Sequence, residues 1–441
     1  FWMAITLAAM LGQIGLPGGG FGFGYSAMNY IGGRFTILPG ASVPQGTNPV
    51  ADFIPVARIA DLLLRPGEPF DFDGVRYEYP DIRLVWWAGG NPFHHHQDLG
   101  RLMQAWQRPE TIIVNEWCWN PLAKRADIVL PCTTPLERQD IAMTPRDPYV
   151  VSMAQLTEPY GQARDDFGIF AGIAREMGVE AAFTEGRDPQ TWQRLIYEQT
   201  VDRAAAAGIA IPDYETFLET GWFKLDDPPE PIVMLERFRA DPQAHPLATP
   251  SGRIEIFSRT VAGFGYDDCP GHPVWRTPYE WLGNAGRYPL HLISNQPRDK
   301  LHSQLDHGGV SRARKVAGRE PLHLHPDDAA ARGLKGGDVV RVFNARGACL
   351  GGVVIDACLR PGVVQMSTGA WYDPDETGLC KHGNPNVLTR DKGTSKLGQG
   401  PSAHSCLVDV ALYAELPPPV TAHDAPQILR PETPNNPEDQ T

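Results

Sequence analysis

A chain of 441 residues is long enough for two or three domains with substantial cores. Its 42% hydrophobic and 21% charged content is that of an ordinary soluble globular protein. Thirty-nine basic against 52 acidic side chains leave a formal charge of −13, which argues against nucleic acid and anionic membrane as partners.

The chain opens on Phe1, and its first basic residue is Arg34. The run FWMAITLAAML is too short to span a bilayer and lacks the basic flank of a signal peptide. It reads as a buried helix entered in mid-domain, so the chain is expected to be the C-terminal part of a longer polypeptide. A long Gly/Asn/Pro loop follows to residue 50, then a helix over 52–65 and a hairpin in FDFDGVRYEY around Asp73-Gly74. Strands over 83–89, 111–116 and 126–131 alternate with helices over 97–107, up to Arg125, and over 165–177; this spacing predicts a parallel, doubly wound sheet. Residues 187–240 read as helical and polar, with a Pro-rich turn at 226–231. From about 245 the runs LHLIS, PLHLH, DVVRVFN, CLGGVVI and GVVQMS, with one helix at 326–332, predict a closed β-barrel with Greek-key-like crossings. After Tyr413 the Pro-rich, polar tail reads as disordered.

Seven scattered cysteines (Cys118, Cys132, Cys269, Cys349, Cys358, Cys380, Cys406) include no CxxC pair, so neither a zinc ribbon nor a four-cysteine iron–sulfur cluster is encoded. They read as reduced, mostly buried thiols. GGNPFHHHQD, residues 89–98, carries three adjacent histidines. Successive residues of a turn point in different directions, and the i, i+4 spacing of a helical metal pair is missing, so a metal site is disfavoured. The stretch follows the carboxyl end of a parallel strand and precedes a helix, where doubly wound sheets bind nucleotides. Gly89-Gly90 would let a ligand approach the backbone, with Asn91 and a histidine bonding it; a structural turn around one buried histidine is the other reading. Asn115 and Glu116 end the second strand, where an acid commonly meets ribose or base, or serve as a helix N-cap. Glu137-Arg138 otherwise form a surface ion pair, and Asp166 an N-cap. Asn295, Gln296, Arg298, His302, Ser303 and Gln304 crowd one loop of the barrel region, and GNPNVLTRDKGTSKLGQG (383–400) is polar and turn-rich; both suit a large polar ligand. Nucleophile and P-loop motifs are missing, which suggests that a cofactor carries the reaction.

With LAAMLGQIGLPGGGFG, GGNPFHHHQDL, RADIVLPCTTPLER, ARDDF, TPSGRIEIFS, LHSQLD, GREPLHLHPDDAAARG, GDVVRVFN, GAWYDP and GNPNVLTRDKGTS in order along nearly the whole chain, it resembles the C-terminal part of the molybdopterin oxidoreductases of the dimethyl sulfoxide reductase type. Within them it is most similar to the biotin sulfoxide, trimethylamine N-oxide and dimethyl sulfoxide reductase subgroup. The resemblance implies an α/β protein: a Rossmann-like doubly wound parallel sheet over 1–245, incomplete at its N-terminus, a C-terminal double-psi-like β-barrel over 246–413, and a disordered tail over 414–441. It implies molybdenum held by bis(molybdopterin guanine dinucleotide), and oxygen-atom transfer from a small S-oxide or N-oxide. Asn91, His95, Asn115, Glu116, Arg138 and Asp166 would touch one guanine dinucleotide, and His302, Ser303, Gln304, Asn386 and Gln399 would reach the cofactor from the barrel. The family's serine metal ligand lies N-terminal to this chain, so catalytic and metal-ligating residues are expected to be none here and the chain alone inactive. The short stretch between Tyr372 and Asn384 resembles the cytoplasmic biotin sulfoxide type. A periplasmic respiratory reductase and a non-catalytic nucleotide- or pterin-binding module are the competing readings; no membrane insertion is expected, and the electron donor stays open.

Overall fold

In a computed structural model, residues 1–24, 36–144, 147–228 and 232–426 are described. Helix α1 (Trp2–Met10) forms where the apolar run predicts it. It is not buried, however. Met3, Leu7 and Met10 are 56%, 55% and 73% exposed, and of its nine residues only Thr6 and Ala8 are buried.

After α2 (Ile59–Leu64), strands β1 (Pro69–Phe72) and β2 (Val75–Glu78) pair antiparallel. Asp73 and Gly74 both have positive φ (46° and 80°), the turn geometry that matches strand twist. A Cβ on Gly74 would also strike the Phe264 ring.

Next come β3 (Leu84–Ala88), α3 (Pro92–His95), α4 (Leu99–Ala105), β4 (Thr111–Glu116) and β5 (Ile128–Pro131). The three strands form a parallel sheet in the order β3-β4-β5. A second sheet was not legible in the sequence. Strands β6 (Asp140–Ala142) and β7 (Tyr149–Met153) precede α5 (Asp166–Glu176), and β8 (Trp222–Lys224) adds antiparallel to β7. Residues 187–240 are therefore not wholly helical: a three-residue strand follows the helix Tyr214–Thr220, whose terminal Gly221 has φ 82°. Part of the Pro-rich turn expected at 226–231 (residues 229–231) lies outside the described residues.

The last strands are β9 (Leu290–Ile293), β10 (Pro321–Leu324), β11 (Val339–Phe343), β12 (Ala348–Ile355), β13 (Val363–Met366) and β14 (Leu407–Leu412). They close a barrel in the order β10-β12-β11-β14-β9-β13. Five are the runs read from the sequence, and β14 was not anticipated. Two neighbouring pairs, β10–β12 and β13–β9, are parallel and the others antiparallel. Leu292, Leu322, Leu324, Val340 and Val342 fill the interior at 1% exposure or less.

One apolar core runs unbroken from the parallel sheet into the barrel. At the junction Phe93 stacks on Tyr372 with centroids 6.1 Å apart, and the Arg125 guanidinium lies 4.9 Å from the Phe93 ring and 5.0 Å from the Tyr372 ring. Asn384 Nδ2, fully buried, donates to the carbonyls of Phe93 and Ala370, each at 2.9 Å. Beside it Arg58 and Arg101 alternate with Asp61 and Asp391 in a ring of four ion pairs: Arg58 to Asp61 at 3.0 Å and to Asp391 at 2.9 Å, Arg101 to Asp61 at 2.7 Å and to Asp391. The ring ties α2 and α4 to the loop before β14.

The expected disordered tail needs correction over 414–426. Ala422 is 3% exposed, the Thr421 N–H and hydroxyl donate to Asp373 at 2.8 and 2.7 Å, and Lys124 Nζ donates to the Ala422 carbonyl at 2.7 Å. A Pro-rich segment makes few bonds to itself, but its carbonyls are satisfied by cations of the folded body, including Arg319 onto Pro418. Residues 427–441 lie outside the described part.

Candidate functional site

The histidine turn is built by a helix start. Asn91 caps α3, its Oδ1 accepting from the Phe93 N–H at 3.1 Å, and Pro92 occupies the first helical position. Gly89 and Gly90 before it have φ of 79° and 90°, and a Cβ on Gly89 would meet nothing within 4 Å. The backbone at the carboxyl end of β3 is thus open to a ligand.

The three rings part company. His94 and His96 are each 5% exposed, while His95 lies open. His94 Nδ1 and His96 Nε2 are buried with no hydrogen-bond partner among the described residues. Burial first, then the neighbouring His95, pushes both imidazoles down to about 3, so both are neutral at physiological pH. A neutral ring offers one donor and one acceptor, and an orphaned buried nitrogen costs free energy until something pairs with it.

From the barrel side, the 302–304 loop reaches the same place. Ser303 Oγ accepts from Asn91 Nδ2 at 3.3 Å, and the His302 ring lies 5.3 Å from that of His94. His302 has φ 54° and its Nδ1 pairs with Gln296 Nε2 at 3.2 Å. Gln304 is exposed. Asn386 sits behind the turn, 3% exposed, with Nδ2 donating to the His94 carbonyl and Oδ1 accepting from the Thr389 hydroxyl at 2.7 Å. It braces the turn.

A second group lies at the end of β4. Asn115, 2% exposed, accepts from Trp86 Nε1 at 3.0 Å and donates from Nδ2 to Asp166 Oδ1 at 2.9 Å. Asp166 is not the N-cap; Asp165 is, accepting from the Gly168 N–H at 2.6 Å, so Asp166 stands exposed in the first turn of α5. Glu116 accepts from the Trp117 N–H at 2.9 Å and from Asn120, whose Oδ1 caps the next turn by accepting from Leu122 and Ala123. Burial lifts the Glu116 carboxyl above the ordinary carboxylate range despite these donors.

Arg138 does not pair with Glu137. It faces Asp140 at 3.2 Å and donates to the Thr133 carbonyl at 3.0 Å, while Glu137 closes a capping box with Thr134 and accepts from the Tyr160 N–H. Arg138 and Asp166 share the wall of a 630 Å³ cleft with Thr133, Gln139 and Gln193. Gln399 lines a different cleft of 710 Å³, among Arg58, Asp61, Arg101 and Asp391, with its Nε2 donating to the Asp71 carbonyl at 2.9 Å. The predicted residues therefore form a histidine-turn group, a β4-end group and one outlier. Burial pushes the thiols of Cys118 and Cys132, which flank the β4 end, up to about 12, so they stay protonated.

His94 and His96 were passed over in favour of His95 in the sequence. A run of identical residues gives no signal for which ring faces inward until the helix phase is known. Trp371, whose Nε1 donates to the Ser303 carbonyl at 2.8 Å, was likewise not singled out.

Residues 1–176 match the family model described as molybdopterin oxidoreductase, and residues 290–407 that described as molydopterin dinucleotide binding domain. The chain is 49% identical over 420 residues to a biotin sulfoxide reductase of Cereibacter sphaeroides, covering 94% of this chain and 56% of that protein. It is 44% identical over 447 residues to a dimethyl sulfoxide/trimethylamine N-oxide reductase of the same organism, covering 97% and 54%. A trimethylamine-N-oxide reductase of Haemophilus influenzae is 43% identical over 449 residues, covering 97% and 54%. The chain thus spans about half the length of the curated relatives it matches. Among solved structures, acetylene hydratase from Pelobacter acetylenicus superposes with a TM-score of 0.58 at 20% identity, over 76% of this chain and 44% of that one; the likeness is one of fold. Among the described residues no helix is long and apolar enough to cross a membrane.

Proposed function

This chain belongs to the molybdopterin oxidoreductase family, and from that premise we propose that it supplies dinucleotide-gripping surface to a molybdenum enzyme that removes oxygen from S-oxides or N-oxides. The observation that carries the reading is the meeting of Asn91 and Ser303, 212 residues apart, beside the orphaned nitrogen of the buried His94. Such a place suits a long anionic ligand rich in hydrogen-bonding groups, and the donor set fits bis(molybdopterin guanine dinucleotide). When bound, that cofactor with its molybdenum supplies the two-electron chemistry of oxygen-atom transfer.

The chain's own residues bind and orient. Asn91, His95, His302, Ser303 and Gln304 would hold the pterin and pyrophosphate portions, with Asn386 bracing the turn. Asn115 holds one oxygen of Asp166, leaving the other to accept from the paired N–H groups on a guanine edge. Glu116 and Arg138 would complete that end, and Gln399 would reach the cofactor only along the second cleft. We assign no metal ligand and no catalytic group to this chain. We also propose residues 1–245 and 246–413 as the two structural units, the first doubly wound and the second a double-psi-like barrel. The two parallel pairs within an otherwise antiparallel six-stranded barrel support the latter. The 49% identity to a biotin sulfoxide reductase favours that type, and with it a cytoplasmic setting, over a periplasmic respiratory enzyme.

In the full-length protein, His95→Ala should lower the pterin and molybdenum retained after gel filtration and leave turnover per bound molybdenum within about twofold, since a grip lost is binding lost. Full occupancy with turnover abolished would return His95 to an acid–base role.

A further inference from the structure

The segment after β14 crosses from the barrel to the parallel-sheet region and ends its described course at a buried hub. The hub is Asp306, fully buried, which accepts from Lys315 Nζ at 2.8 Å, from the Trp371 N–H at 3.1 Å and from His423 Nε2 at 3.2 Å. Lys300 Nζ stands 3.3 Å away. Asp306 lies three residues from Ser303, and Trp371 is bonded to both: its N–H donates to Asp306 and its Nε1 to the Ser303 carbonyl. The His423 ring packs edge-on against Trp371 at 5.3 Å and against His382 at 5.0 Å. Lys124, from the sheet region, holds the strap's carbonyls at Thr421 and Ala422.

We propose that residues 414–424 are a positioning strap for the cofactor-contacting loop, with His423 as its pin: by bonding Asp306 and covering Trp371 it fixes where His302 and Ser303 stand against Asn91 and His94. The proposal rests on the cofactor reading above. Sequence separation makes the link specific, because His423 lies 117 residues from Asp306 and Lys124 lies 298 from Ala422, so neither bond is a local turn. A metal at the Asp306, His382 and His423 atoms, which lie within 4.8 Å of one another, is the competing account of the same cluster. Lys300 and Lys315, which also pair with Glu320, already stand 3.3 and 2.8 Å from Asp306 Oδ1, so a divalent cation on that carboxylate would have to sit beside both ammonium groups.

The test uses the full-length holoprotein with His423→Ala, His423→Gln and Lys124→Met. Pterin release during dialysis is followed by fluorescence after oxidation, and limited proteolysis is mapped in 298–309 and, as a control, at the 73–74 hairpin. His423→Ala and Lys124→Met should release pterin about tenfold faster and open 298–309 to cleavage with the hairpin unchanged, the size expected for a lost bond to a charged group. His423→Gln, whose amide can still donate to Asp306, should recover most of the wild-type rate. Equal release rates and an unchanged 298–309 pattern in His423→Ala would overturn the proposal. So would stoichiometric zinc bound in the wild type and lost in His423→Ala. If the wild type holds no pterin, the cofactor reading fails, and the 298–309 cleavage pattern decides by itself whether the strap positions the loop.

Discussion

The barrel and the parallel sheet handle their edges in opposite ways. The barrel leaves no strand end unpaired laterally: β12 is buried over six consecutive residues and pairs with β10 and β11. The described sheet has two open edges, where Leu84 of β3 and Ile128 of β5 are 52% and 45% exposed. A closed barrel stabilises itself. A three-stranded sheet depends on what packs against it, and here that is the barrel, through Phe93, Tyr372 and the ion-pair ring. The side chains best suited to grip a ligand sit where the dependent region meets the self-sufficient one.

The largest effect should come from cutting the connection. Asp391→Ala leaves two buried guanidiniums short of a partner and should cost about 3–5 kcal/mol in chemical denaturation, with the sheet region losing protection first in hydrogen exchange. Leu322→Ala, inside the barrel and fully buried, should cost about 3 kcal/mol and lower both regions together, since one core spans them; separate transitions would break the comparison.

Acid sharpens it next. His94 and His96 are held near 3 in the folded protein against 6.5 when unfolded, so the unfolded chain binds the extra protons as pH drops. Their contribution is intact above pH 6.5 and is lost as pH falls from there toward about 3. The melting temperature should drop by about 5 °C over that window and fall less in His94→Gln/His96→Gln, leaving the share of the barrel's own His382. Removing the α5 cap by Asp165→Ala should cost about 1 kcal/mol, read by thermal melting. Least of all, Leu84→Ser on the open sheet edge should stay within about 0.5 kcal/mol.

Most of the architecture could be read from local pattern. Alternating apolar runs announced β3, β4, β5 and five barrel strands, and Asp73-Gly74 announced the hairpin. Three-residue strands such as Trp222–Lys224 carry too few side chains to show a period, and β14 was hidden behind a polar, turn-rich stretch. The site was legible by residue type more than by role. Asn91, His302 and Ser303 do meet, but the sequence could not show that His95 faces outward while His94 and His96 face inward. Asp165 and Asp166 look alike in a string; only the helix start decides which of them caps. The strap was misread because composition reports what a segment does to itself, and its partners, Lys124, Lys381 and Arg319, lie about 40 to 300 residues away.

The ring of Arg58, Asp61, Arg101 and Asp391 also imposes an order in time. Asp391 is 333 residues beyond Arg58 and 290 beyond Arg101, so during synthesis both arginines and Asp61 leave the ribosome long before their fourth member. Until then the trio carries one uncompensated positive charge at a surface that must later be dry. The ring therefore cannot close before residue 391 has been made. If the ring also forms after the folding barrier, Asp391→Ala should raise the unfolding rate and leave the folding rate unchanged, so that the ring would serve as a brake on unfolding.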